Sequence, residues 1–227
     1  GTSGVQTFTL TNIGGQPTGM ISGMLTGTDA ASFSVTANGC AGNTLAPSAT
    51  CTVSVRFAPT TSGAKSASLT ATATPGGMSS SALSGTGLSP GSITANPTSK
   101  NFGSVESGQQ GTTQIFTIQN IGGSATGTLA TLVSGANGSE FGVTTDACNG
   151  QTLAANATCD VSVQFRPVTS GSKIGTLTVT GTPGGAAAAP LSGTSLASAA
   201  LAMAPPSHNF NSVITGQTTN AAAVQEV

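Results

Sequence analysis

Apolar and hydroxyl-bearing side chains alternate along this chain in short bursts, and each burst is closed by glycine, proline or asparagine. In Thr7-Phe8-Thr9-Leu10-Thr11 the apolar pair falls on one face and threonine on the other. Val53, Val55 and Phe57 alternate in the same way with Thr52, Ser54 and Arg56. A period of two marks a half-buried β-strand, because successive side chains of an extended backbone point to opposite sides. Phe33-Ser34-Val35 supplies a partner strand, with Asn38-Gly39 and Ala46-Pro47 as turns, and Leu69 and Leu83 mark two further strands split by Pro75-Gly76-Gly77. No helical period is present, and β-branched and small residues fill the periodic segments. The expectation is an all-β chain.

The pattern then returns at an offset of 108, which carries Cys40 onto Cys148 and Cys51 onto Cys159. Phe8-Thr9 and Asn12-Ile13-Gly14-Gly15 reappear as Phe116-Thr117 and Asn120-Ile121-Gly122-Gly123. Val53-Ser54-Val55 reappears as Val161-Ser162-Val163, and Leu83-Ser84-Gly85-Thr86 as Leu191-Ser192-Gly193-Thr194. Strand signals at this density predict tandem immunoglobulin-like β-sandwich repeats of about seven strands each. The expected organisation is repeat 1 over 1–91, lacking its first strand, and a complete repeat 2 over 92–199. Residues 200–227 would be the first strand or strands of a third repeat, or a donor strand for a neighbouring subunit.

The third assignment rests on residues 97–109 matching residues 205–217 at the same offset. Two readings follow. The chain is a window on a longer array, or the trailing segment around Asn209, Phe210 and Val213 completes the open sheet of a neighbour and builds a head-to-tail polymer. The expected partners are therefore neighbouring repeats or identical subunits. The junctions at 89–97 and 197–206 are short and proline-bearing, which predicts sandwiches arranged end to end as a rod.

Four cysteines with one spacing used twice predict two disulfides, Cys40 to Cys51 and Cys148 to Cys159, and hence an oxidising, secreted or cell-surface location. A zinc site would want closer pairs and histidines, and His208 is the sole histidine. Five basic against six acidic side chains give no electrostatic footprint for nucleic acid or an anionic membrane. No apolar run reaches the roughly 20 residues of a spanning helix, and Gly1 is not followed by the charged-then-apolar pattern of a signal peptide.

Taken together, Phe8-Thr9-Leu10-Thr11-Asn12-Ile13-Gly14-Gly15, the Cys40-to-Cys51 loop with Thr44-Leu45-Ala46-Pro47, the run Val53-Ser54-Val55-Arg56-Phe57-Ala58-Pro59, and the closing Leu83-Ser84-Gly85-Thr86-Gly87 resemble the bacterial choice-of-anchor D repeat family. That family is related to the immunoglobulin-like domains of the abnormal-spindle and hydin type. The resemblance covers nearly the whole chain and implies large secreted or surface-anchored bacterial proteins with many copies and paired cysteines in this loop. Repeat 2 departs from the pattern at Ala155 and Ser195, in place of Pro47 and Gly87. No catalytic residues transfer from it.

Candidate chemistry is sparse. Ser62-Gly63-Ala64-Lys65 and Ser170-Gly171-Ser172-Lys173 match an S-x-x-K pattern but are read as turns between strands, where no helix brings serine and lysine together. His208 stands where repeat 2 has Lys100 and reads as a surface residue, and without a second histidine a nucleophilic triad has no repeated counterpart. Asp29, Glu140, Asp146 and Asp160 are scattered, which suits solvated loop acids better than calcium ligands. Asn137-Gly138-Ser139 and Asn156-Ala157-Thr158 are formal glycosylation acceptors. The expectation is a non-enzymatic structural protein of an extracellular stalk, fibre or filament, with no cofactor and no metal. The alternative is a surface adhesin recognising glycan or protein, although the Trp and Tyr anchors usual at interfaces are absent.

Overall fold

In the computed structural model, which describes residues 1–204 and Asn209, the alternating bursts become strands β1 (Val5–Thr11), β2 (Ser22–Thr26), β3 (Phe33–Asn38), β4 (Thr50–Phe57), β5 (Gly63–Ala73) and β6 (Gly77–Gly87). They form two antiparallel sheets, in the orders β1-β4-β3 and β2-β5-β6. Phe8 lies opposite Val53 and Leu10 opposite Cys51, so the apolar positions of β1 and β4 share one face. That face packs against Leu69 and Leu83 of the second sheet, with Ile21, Phe33 and Val55 completing the core. The β5–β6 hairpin closes through Gly76 and Gly77 at φ of 134° and 77°, a region that L side chains avoid.

Eight further strands follow: β7 (Ile93–Asn96), β8 (Lys100–Glu106), β9 (Thr113–Asn120), β10 (Ala130–Ser134), β11 (Phe141–Asp146), β12 (Thr158–Phe165), β13 (Gly171–Gly181) and β14 (Gly185–Leu196). Their sheets run β11-β12-β9-β7 and β10-β13-β14-β8. Removing β7 and β8 leaves the strand order of the first sandwich. The opening segment thus supplies two strands, one to each sheet, and the strand numbers fall at six and eight, either side of the expected seven. β7 pairs antiparallel with β9, and after the corner at Pro97 the chain crosses to pair β8 parallel with β14.

This difference controls the cores. In the second sandwich Phe116, Ile118, Val161, Val163, Phe165 and Val179 are wholly enclosed. Phe102, from β8, packs against both Phe141 and Phe165, with ring centroids 5.8 and 6.1 Å apart. The first sandwich has the corresponding pair Phe33 and Phe57, 5.0 Å apart, without a third ring. Phe8, Leu10 and Phe57 are only partly buried there. No strand of one sandwich pairs with a strand of the other among the described residues.

Candidate strand-acceptor groove

Among the described residues nothing stands where β7 and β8 stand in the second sandwich, so β1 and β6 are edge strands on the same side of the first. Between them runs a groove of three adjoining depressions, with volumes of ≈ 180, ≈ 740 and ≈ 370 Å³. Phe8, Leu10, Leu69 and Ala71 form its floor, Ser79, Ser80 and Ser81 its β6 wall, and Phe57 with Leu83 the far end. Unpaired backbone donors and acceptors beside exposed apolar side chains make such an edge a template for strand addition.

The groove's upper rim is organised by Asn12, the first residue of the repeated Asn-Ile-Gly-Gly motif. Its side-chain amide donates to the carbonyls of Gln16 and Leu45, at 2.8 and 2.9 Å, while its Oδ1 accepts from Gly14 N–H at 2.9 Å. The counterpart Asn120 is fully buried. It donates to Ser124, Leu153 and Ala154, and its Oδ1 accepts from Ser92 N–H as well as Gly122 N–H. A buried amide satisfied in this way pins the end of the strand to the cystine loop. The sequence signals the motif by its recurrence but not its role.

Each predicted disulfide pair is joined, Cys40 to Cys51 and Cys148 to Cys159, fastening the segment after β3 or β11 to the start of β4 or β12. Cys40 and Cys148 are buried in their cores. Asn209 of the proposed donor segment is exposed, whereas Phe210 and Val213 lie outside the described residues, as does His208. No helix among the described residues is long and apolar enough to cross a membrane.

Two sequence expectations require correction. Lys65 and Lys173 are not in turns: they lie on β5 and β13, and only Ser62 and Ser170 precede those strands. Glu140 is not a solvated loop acid, because it is buried on the short 3-10 turn Gly138–Glu140 beside Lys173. Lys173 Nζ donates to Glu140 Oε1 at 2.8 Å and to Thr169 Oγ1, and Val168 N–H donates to Glu140 Oε2 at 3.0 Å. Burial alone would raise the carboxyl pKa, but hydrogen bonds from Lys173 and Val168 and the lysine charge outweigh it and hold Glu140 below the ordinary carboxylate range. In the first sandwich Lys65 meets Asp29 instead, at 3.6 Å. The anion has moved three positions along the turn, so an alignment of acids misses the pairing. The arrangement clamps the turn onto the sheet.

No family model matches the chain, and no curated protein matches it in sequence. Among solved structures it is similar to the seventh PapD-like (ASH) domain of human CEP192, at 19% identity over 47% of this chain and 87% of that one, with a TM-score of 0.35. It is also similar to the VesB protease of Vibrio cholerae, at 21% identity over 46% of this chain and 31% of that one, TM-score 0.34. A third likeness is to the CupB6 tip adhesin of Pseudomonas aeruginosa, at 11% identity over 78% and 77% of the two chains, TM-score 0.29. These likenesses are too remote to bear on activity or partners.

Proposed function

We propose that this chain is a piece of a structural array, an extracellular stalk, fibre or filament built from choice-of-anchor-D-like sandwiches and working by reach and continuity. The observation that carries the reading is the joining of two cystine-clamped sandwiches by the short connection between β6 and β7, residues 88–92. This connection is not a free tether. Gly123 N–H donates to Ser89 Oγ at 2.8 Å, and Ile121 N–H to the Ser92 carbonyl at 2.7 Å, so the second sandwich holds the linker against its own surface. A linker tied down over most of its length limits bending between neighbours.

Cystine clamps suit an oxidising exterior, where they persist. Closing a loop of 11 residues also stabilises a fold by about 3 kcal/mol in the chain-entropy model. Small-angle scattering of the purified chain tests the array reading. A particle about twice as long as one sandwich is expected, and a globular scattering profile overturns it. Thiol titration of natively secreted, unfolded material should find no free cysteine.

A further inference from the structure

We infer that the two sandwiches articulate at a single residue, Leu88, and that its side chain closes on Ile121 of the second sandwich, an apolar contact within the chain that fixes the direction in which one repeat follows the other. The inference rests on the array reading above and specifies how its junction is held.

The chain on either side of Leu88 is already committed. Gly87 ends β6 opposite Gly63 of β5 and is buried. A Cβ there would collide with the Thr61 carbonyl oxygen and stand 3.2 Å from Pro59 Cβ, so this end is wedged against a loop of the first sandwich. From Ser89 onward the second sandwich takes over. Gly123 N–H donates to Ser89 Oγ at 2.8 Å, and Ser92 N–H donates to Asn120 Oδ1 at 3.0 Å. Between them Pro90 has its φ set by its ring and confines Ser89 to extended conformations. Gly91 is buried, and a Cβ on it would stand 2.9 Å from the Ala125 carbonyl oxygen. Leu88 lies outside both ladders and forms no backbone hydrogen bond to either side among the described residues. Its φ and ψ therefore carry the freedom between the sandwiches, as the few torsions of a hinge do.

The two side chains at this pivot are apolar and packed in neither core. Leu88 is 65% exposed and Ile121 60%. The rest of the Asn120-Ile121-Gly122-Gly123 motif is accounted for by the fold. Asn120 is the buried amide, a Cβ on Gly122 would collide with the Pro90 carbonyl oxygen, and one on Gly123 would stand 3.0 Å from Ser89 Oγ. Ile121 uses only its backbone, through the bond from its N–H to Ser92, which leaves its side chain free for another purpose.

Leu88 is delivered to it by the linker. The Cβ position on Gly123 lies 3.1 Å from Ser89 N, so the Leu88–Ser89 peptide runs against the motif two residues from Ile121. Contact withdraws both side chains from water and, because Ile121 is fixed to the second sandwich, pins the torsions of the pivot. Residues 86–93 and 120–127 hold no charged side chain, so the contact is insensitive to salt. Both positions belong to the repeat, since the offset of 108 carries Leu88 onto Leu196 and Ile13 onto Ile121.

The experiment measures distances between spin labels on the full chain by double electron–electron resonance, with labels at Ser80→Cys and Ala188→Cys, exposed positions on β6 and β14. One narrow distribution is expected, the same at low and high salt. Leu88→Gly, which frees the torsions and removes the side chain, should broaden it to about twice its width. Ile121→Ser should broaden it similarly although the pivot itself is untouched. Ile174→Ser, at an equally exposed isoleucine on β13, should leave it narrow. Hydrogen exchange in β4 and β12 peptides verifies that both sandwiches stay folded in each variant. A distribution already broad in the parent chain, or one that Leu88→Gly or Ile121→Ser leaves as narrow as before, overturns the inference. If the chain then still scatters as a particle two sandwiches long, the array reading survives while the latch fails.

Discussion

Replacing the same ring in the two sandwiches measures what the opening segment contributes. Phe165 is fully enclosed, with Phe141 5.0 Å and Phe102 6.1 Å away. A phenylalanine hides about 200 Å², which at about 25 cal/mol per Å² sets an upper bound of about 5 kcal/mol. Phe165→Ala should therefore cost the second sandwich about 4 kcal/mol once partial relaxation is allowed for. Phe57 has one aromatic neighbour and faces the groove. Phe57→Ala should cost about 2 kcal/mol in the monomeric chain, roughly half the enclosed value. With no Trp or Tyr, fluorescence reports little, so hydrogen exchange read by mass spectrometry is the assay. Peptides from β4 and β12 give the opening free energy of each sandwich separately. Equal losses at the two sites would show that Phe57 is enclosed in solution without a partner strand, and would refute the reasoning.

Three other outcomes are expected. Cys148→Ser/Cys159→Ser should lower the stability of the second sandwich by about 3 kcal/mol, seen as a lower urea midpoint for its peptides alone. Lys173→Met should cost about 3 kcal/mol because it strands a buried carboxylate, whereas Lys173→Met/Glu140→Leu should recover most of that loss in the same measurement. The Glu140 carboxyl is depressed in the folded state, so its contribution is fully present above the unfolded carboxylate pKa and is lost as pH falls through the folded value. An acid titration of thermal midpoints should show this loss below the ordinary carboxylate range, and Glu140→Gln should remove it.

The strands that alternate cleanly, β1 and β4, were legible because Phe8, Leu10, Val53, Val55 and Phe57 leave no ambiguity of face. β2, Ser-Gly-Met-Leu-Thr, was not, since a glycine and a half-exposed apolar pair carry no period. Nor could the sequence reveal that β7 and β8 serve different sheets. Their crossing depends on a parallel pairing with β14, far away along the chain, that no local pattern encodes. That the first copy is given without an opening segment was readable as a shift in phase between copies, but the walls of the groove were not. The Lys173–Glu140 pair escaped notice because its anion has no aligned counterpart in the first copy.

The parallel pairing of β8 with β14 also has a mechanical meaning. In an array under tension, force enters a sandwich through the chain preceding β7 and leaves through the end of β14. Once β7 gives way, the pull acts on the start of β8 and the finish of β14, along two strands that point the same way. Their hydrogen bonds are then loaded together in shear instead of being peeled one by one. A single-molecule pulling trace of the second sandwich should show a low shoulder, as β7 detaches, before one high rupture peak.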